Sequence, residues 1–184
     1  IVLTDNHAYS LVCGVDTDKL WPYIKDNLVE EMSSELGNEG TYDTEIKSGQ
    51  LFIIRKDKET ISLNPNYVWY YGGNGEKLSE PLTYMNIKYS ISSSEPLNIY
   101  FVPSNEEQKK IADLESFVHY PTCQKENVYK TSSSCDSLRE NGGIVLVNKN
   151  SEDSAKVDLD LSFYYAYDTG NVLSDKEITY YTLG

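Results

Sequence analysis

From Ala155 to Phe163 the chain reads AKVDLDLSF. Its apolar and polar residues alternate without a break: Val157, Leu159, Leu161 and Phe163 fall on one side, Asp158, Asp160 and Ser162 on the other. A period of two belongs to a β-strand with one buried and one wet face, and a helix cannot satisfy it. The same period recurs through most of the chain. TYDTEIKSGQLFIIRKDKETISLNP, from Thr41, reads as two or three strands with turns at Ser48-Gly49 and Asp57-Lys58, residue types that favour turns or exposed positions. NYVWYYGGNGEKL is a further strand. LTYMNIKYSISSS sets Met85, Ile87, Tyr89 and Ile91 against Tyr84, Asn86 and Lys88, the pattern of a half-buried strand. The denser apolar run PLNIYFVP reads as a central strand, and Ile144 to Val147 as another. At the start, IVLT and AYSLVCGV read as short strands around a polar turn at Asp5-Asn6, and ITYYTLG at the end as an edge strand or an ordered tail.

Two stretches change period. Ile24, Leu28, Met32 and Leu36 recur every four residues, with Pro22 suited to a first helical turn and Gly37 to a C-terminal cap, which predicts a helix near 22–36. SNEEQKKIADLESF predicts a second near 105–115, opened by a capping box of Ser104 and Glu107 and striped by Ile111 and Leu114. Strands in runs joined by short polar turns, without alternating β and α, predict a mainly β fold: an antiparallel β-sandwich of jelly-roll type with two short helices. With 184 residues and no repeat or dividing linker, residues 1–184 are expected to form a single domain with a real core.

The formal net charge is −13, from 16 basic and 29 acidic residues, and the only basic pairs are Arg55-Lys56 and Lys109-Lys110. Such a field repels phosphate backbones and anionic lipid headgroups, so neither nucleic acid nor an anionic membrane surface is an expected partner. No stretch approaches the ~20 apolar residues of a membrane span. The chain begins at Ile1 rather than Met and is expected to be processed or trimmed, which leaves open the removal of a signal peptide or membrane anchor.

There are three cysteines. Cys123 and Cys135 flank the stretch QKENVYKTSSS, which reads as a polar loop, and that setting favours a disulfide between them, leaving Cys13 as a small buried hydrophobe. The alternative is three reduced thiols in a cytosolic protein. No N-x-S/T acceptor occurs, so the chain gives no support for N-glycosylation.

Catalytic signatures are sparse. G-x-S-x-G is absent, and a Cys–His enzyme would have to draw on Cys13, Cys123 or Cys135 with His7 or His119. C-x-x-C, H-x-x-x-H and H-E-x-x-H are absent, so no zinc site is expected. NKNSEDS gathers Asn148, Asn150, Glu152 and Asp153, but it lacks the twelve-residue calcium pattern and reads as a polar hairpin turn, as Asp16 and Asp18 read as surface carboxylates. Asp158 and Asp160 share a strand face at about 7 Å, a spacing compatible with glycosidase carboxylates, though alternating charge is also the ordinary way to keep a sheet face wet. Glu30 and Glu31 read as the polar side of the first helix. GGNG and ENGG read as turns, lacking the Lys-Ser/Thr of a phosphate loop. No metal or other cofactor is expected.

The remaining feature is NPNYVWYYGG. In a strand, Tyr67, Trp69 and Tyr71 share one face and Val68 and Tyr70 the other, so burial of Val68 would leave three aromatics in a row. Such a row can stack on sugar rings or form a protein-binding hot spot, and Tyr84 and Tyr89 could extend it; the bland alternative is that Trp69 is core and both faces are covered. Tyr supplies 16 residues against 4 Phe and 2 Trp, a composition suited to half-wet surfaces. The second half, with NIYFVPS, the two cysteines and GGIVLVNKN…AKVDLDLSFYY, resembles the β-sandwich ectodomains that precede a membrane anchor. Together these features predict a non-enzymatic extracytoplasmic or lumenal binding domain, the ectodomain of a secreted or membrane-anchored protein. Its expected partner is a protein or a glycan, with Tyr67, Trp69, Tyr71 and Tyr84 as ligand-binding residues. The alternatives are a carbohydrate-binding module on the same aromatics and a hydrolase with a dispersed site that includes His119 or Asp160.

Overall fold

A computed structural model describes residues 2–4, 7–9, 29–30, 33–36, 40–47, 50–78, 82–150 and 152–168. The architecture is mainly β and antiparallel, as expected. β1 (Val2–Thr4) and β2 (His7–Tyr9) pair antiparallel; the expected Asp5-Asn6 turn lies outside the described residues. The other seven strands form one sheet: β3 (Thr41–Lys47), β4 (Gln50–Leu63), β5 (Val68–Gly72), β6 (Tyr84–Val102), β7 (Lys125–Leu138), β8 (Gly143–Asn148) and β9 (Ala155–Asp168). Its order is β3-β4-β9-β6-β8-β5, with β7 on the other edge of β6.

Three expectations change. Asp57-Lys58 is not a turn: β4 runs straight through it and pairs with β9 residue for residue from Gln50↔Asp168 to Leu63↔Ala155. LTYMNIKYSISSS and PLNIYFVP belong to one 19-residue strand, which runs through Glu95-Pro96 because pairing with β9 up to Ser93 and with β8 from Leu97 holds both sides extended. The register with β7 shifts between Ser92 and Leu97, where Pro96 can donate no hydrogen bond. The polar stretch between the cysteines is not a loop but β7, an edge strand whose serines and lysines face solvent.

β6 organises the sheet by changing neighbours. Tyr84–Ser93 pairs with β9 and Leu97–Val102 pairs with β8, so the sheet divides into a β9-β4-β3 limb and a β8-β5 limb. It curls so that the two limbs enclose one core, an open half-barrel. The alternation in β9 is realised as read: Val157, Leu159, Leu161 and Phe163 are buried, and Asp158 and Asp160 are exposed. Ile53, Ile61, Ile87, Leu97, Phe101 and Ile144 complete the same inner layer. Leu36 joins it; of the expected 22–36 helix, residues 29–30 and 33–36 are described and helical, while 22–28 and 31–32, Cys13, and the ITYYTLG tail lie outside the described residues.

The second helix, α1 (Asn105–Ala112), lies on the outer face of β8-β5, where Ile111 packs with Tyr100, Val102, Val145 and Val147. Ser104 caps it, its Oγ accepting from the Glu107 N–H at 3.5 Å. Glu107 does not complete a capping box. Its carboxylate accepts from the Val118 N–H and from the Lys110 ammonium, both at 2.6 Å, and ties the segment after α1 back to the helix. The Lys110 hydrogen bond, with that N–H, holds the Glu107 carboxyl below its usual range.

α1 ends in a Schellman turn, with Glu115 N–H donating to Lys110 C=O and Leu114 N–H to Ile111 C=O. Leu114 therefore takes the left-handed position, at φ 59°, and is 94% exposed. A leucine here pays a conformational cost with no packing in return. Leu114→Gly is expected to raise the unfolding free energy by about 1 kcal/mol, read from the urea midpoint; an unchanged or lower midpoint would contradict this account of the turn.

Candidate functional site

β5 is short, lies at one end of the sheet and begins just after the Asn64–Tyr67 turn, which is closed by Tyr67 N–H to Asn64 C=O. Asn148, fully buried on β8, fixes that turn: its amide donates to Leu63 C=O, Asn64 C=O and Asp153 C=O. In NKNSEDS, Asn148 Oδ1 accepts from Asn150 N–H and Asn150 Oδ1 from Glu152 and Asp153 N–H, so these two side chains hold the shape of the loop.

The two faces of β5 differ. Val68 and Tyr70 pack beneath α1 in the outer cluster. Trp69 and Tyr71 lie opposite Leu146 and Ile144 in the ladder, on the inner, concave side. Tyr71 is half-buried there, Trp69 remains 38% exposed, and Tyr67, just before the strand, is 59% exposed. The Trp69 and Tyr71 rings lie 6.3 Å apart and are tilted by 43°, so they do not form one flat platform. The structure thus puts Trp69 and Tyr71 on the inner side at the mouth of the half-barrel, with Tyr67 exposed just before them.

Across that mouth stands β4. Tyr71 donates its hydroxyl to the exposed Glu59 carboxylate. Burial, and then the hydrogen bond to Glu59 and its negative charge, push the Tyr71 phenol well above its usual pKa, so it stays a neutral donor. Deeper, Arg55 is 5% exposed and forms an ion pair with Asp57 at 3.0 Å. Its other arm donates to Gly72 C=O at 3.0 Å, and its guanidinium lies 4.1 Å over the Phe163 ring. The Tyr165 hydroxyl donates to Gly73 C=O at 2.7 Å. Side chains of β4 and β9 therefore clasp the end of β5, where a backbone ladder would otherwise have to close the barrel. Gly73 permits this close approach, since a Cβ there would overlap the Met85 side chain.

Other expected positions lie elsewhere. Tyr84 is on the outer face of the β9-β4 limb, its ring edge-on to Phe52 at 6.3 Å and its hydroxyl donating to Gln50 at 2.7 Å. Tyr89 is in the core against Phe101, 5.4 Å away. Neither joins the row of Tyr67, Trp69 and Tyr71. Asp158 and Asp160 face solvent, one accepting from Thr60 and the other 3.9 Å from Lys58. Cys123 and Cys135 form a disulfide, so neither is a free thiolate for His119. That ring stacks edge-on against Tyr100 at 5.8 Å and bonds Gln124 at 2.8 Å. Among the described residues, no cluster of three His, Cys, Asp or Glu side chains could hold a metal ion, and no helix is long and apolar enough to cross a membrane.

Sequence reasoning missed Arg55, Asp57 and Glu59 because RKDKE looks like a turn. The available signal was parity: all three share the face of Ile53 and Ile61, which placed them on the inner side.

No protein-family model matches the chain, and no curated protein does. Among solved structures, a crystal structure of CapF with the inhibitor 3-isopropenyl-tropolone aligns over 68% of this chain at 14% identity, with a TM-score of 0.23. The aligned region spans 28% of that structure's chain, and a likeness at this level assigns neither fold nor function.

Proposed function

We infer that the chain is a non-enzymatic binding domain of the secretory lumen or cell exterior that contacts a protein partner through the mouth of the half-barrel. The observation that carries this reading is the row of Tyr67, Trp69 and Tyr71: two aromatics on the concave side of a strand whose other face is packed, and a third just before it, with Tyr67 and Trp69 left substantially open to solvent. Large rings held rigidly at a wet rim are the residues that dominate protein interfaces. The disulfide supports an oxidising compartment. The acidic surface, at net charge −13, favours a partner with basic groups. In this reading the β8-β5 limb, lying over the β9-β4 limb, plays the part of the second layer of a jelly-roll sandwich.

Trp69→Ala is expected to weaken capture of at least one partner from native-host extract by about 30-fold or more, as hot-spot truncation does, with an unchanged far-UV spectrum. Equal capture of every partner by Trp69→Ala and Tyr67→Ala would end the proposal. A glycan ligand is the second reading, favoured by Glu59, a carboxylate beside the rings that can accept from sugar hydroxyls. A Trp69-dependent change in tryptophan fluorescence across a glycan panel, absent in Trp69→Phe, would move the assignment there.

A further inference from the structure

β7 presents a long free edge. Among the described residues it pairs with β6 alone, and its outward edge carries unmatched backbone donors and acceptors. From Lys130 to Cys135 it runs in unbroken register with β6, from Ser92↔Lys130 to Ile87↔Cys135, and the register shifts on both sides of that stretch. The straight part contains no proline and only one charged residue, Lys130; the next residue beyond it is Asp136. None of the usual devices that blunt a sheet edge is present in the stretch from Thr131 to Ser134.

We propose that β7 pairs with β7 of a second copy of this chain, antiparallel about a two-fold axis at Ser133. The register follows from two constraints. Directly opposed residues of an antiparallel pair lie on the same face, so outward-facing positions must meet outward-facing ones, and the axis must pass through a residue. An axis at Ser132 would set Lys130 opposite Ser134. An axis at Ser133 sets Lys130 of each copy opposite Asp136 of the other and Ser132 opposite Ser134. The Lys130 and Asp136 side chains are both exposed, and neither is engaged within the described residues, so the axis at Ser133 gives each one opposite charge, in two symmetric pairs. Tyr129, 56% exposed, flanks the ladder and is covered by the pairing. An interface of one strand pair is small compared with the ~1,200–2,000 Å² of stable complexes, so the dimer is weak and concentration-dependent.

Sedimentation velocity at about 0.15 M salt, which screens the repulsion between two chains of net charge −13, and at up to about 1 mM protein, tests this. The wild-type chain is expected to dimerise. Lys130→Asp and Asp136→Lys each place like charges opposite one another at two symmetric positions and are expected to weaken the dimer about tenfold. The double exchange, Lys130→Asp with Asp136→Lys, restores it. A wild-type chain monomeric throughout that range overturns the proposal, as does a dimer that neither single exchange weakens or one that the double exchange fails to restore.

Discussion

Arg55→Ala is expected to lower the unfolding free energy by about 3–5 kcal/mol, the usual penalty for breaking a buried ion pair from one side. The size follows from what the substitution strands. Asp57 keeps a carboxylate that is 16% exposed beside an empty space, Gly72 C=O loses a charged donor, and the Phe163 ring loses the cation on its face. Urea denaturation followed by circular dichroism measures the loss directly. A companion variant separates the charge from the packing. Arg55→Met with Asp57→Leu removes both ions and keeps apolar volume, and it is expected to recover most of the stability, since buried ion pairs are often matched by well-packed hydrophobes. Loss below about 1 kcal/mol in Arg55→Ala would mean that water reaches the pair freely, the regime of a surface salt bridge. The same variant should also loosen the end of β5, so an increase in Trp69 quenching by iodide is expected alongside the lost stability.

Replacing Cys123 and Cys135 together by alanine is expected to cost about 2–5 kcal/mol, as removal of a native disulfide commonly does. The bridge closes a sequence separation of 12 residues, with its Cα atoms 5.4 Å apart, and joins β7 to the turn after Tyr120. Cys135 is fully buried, so the loss includes core contacts as well as the cross-link. For a chain of this length about 3 kcal/mol corresponds to a fall of roughly 6–12 °C in Tm. Calorimetry of the wild type with and without reductant should reproduce most of that shift. A Tm that moves by less than about 2 °C in both comparisons would show that Tyr120, bonded to Phe101 C=O and to the Arg139 N–H, holds the segment by itself.

What the sequence made legible was mostly one-dimensional. The alternation of β9 could be read directly because each residue's face is set by parity alone, and so could the opposed faces of β5. The cap at Ser104 is equally local. The errors occurred where distant chain decides. Asp57-Lys58 carries turn-forming residues, yet fourteen consecutive pairs with β9 hold it extended; Asp57 is tolerated there because it pairs with Arg55, which reaches Gly72, and Lys58 because it faces solvent beside Asp160. The serines of β7 look like a loop because an edge strand needs few apolar residues. Glu107 has the spacing of a capping box, but Val118 competes for its carboxylate. For the site, the aromatic run named Trp69 and Tyr71, whereas Glu59 and Arg55 enter only when the sheet curls. Tyr84 shares the residue type of the row but lies across the sheet on its outer face.

The neighbour exchange along β6 sets the order in which the molecule can be made. All three of its partners, β7, β8 and β9, lie after it in the chain, so β6 must wait as a bare template until they emerge. β4 waits longest, because its ladder runs to the last described strand and joins Gln50 to Asp168. Contacts of such long sequence separation make folding slow. The apolar run of β4 then stands uncovered through most of synthesis, the interval in which aggregation or a chaperone would claim it.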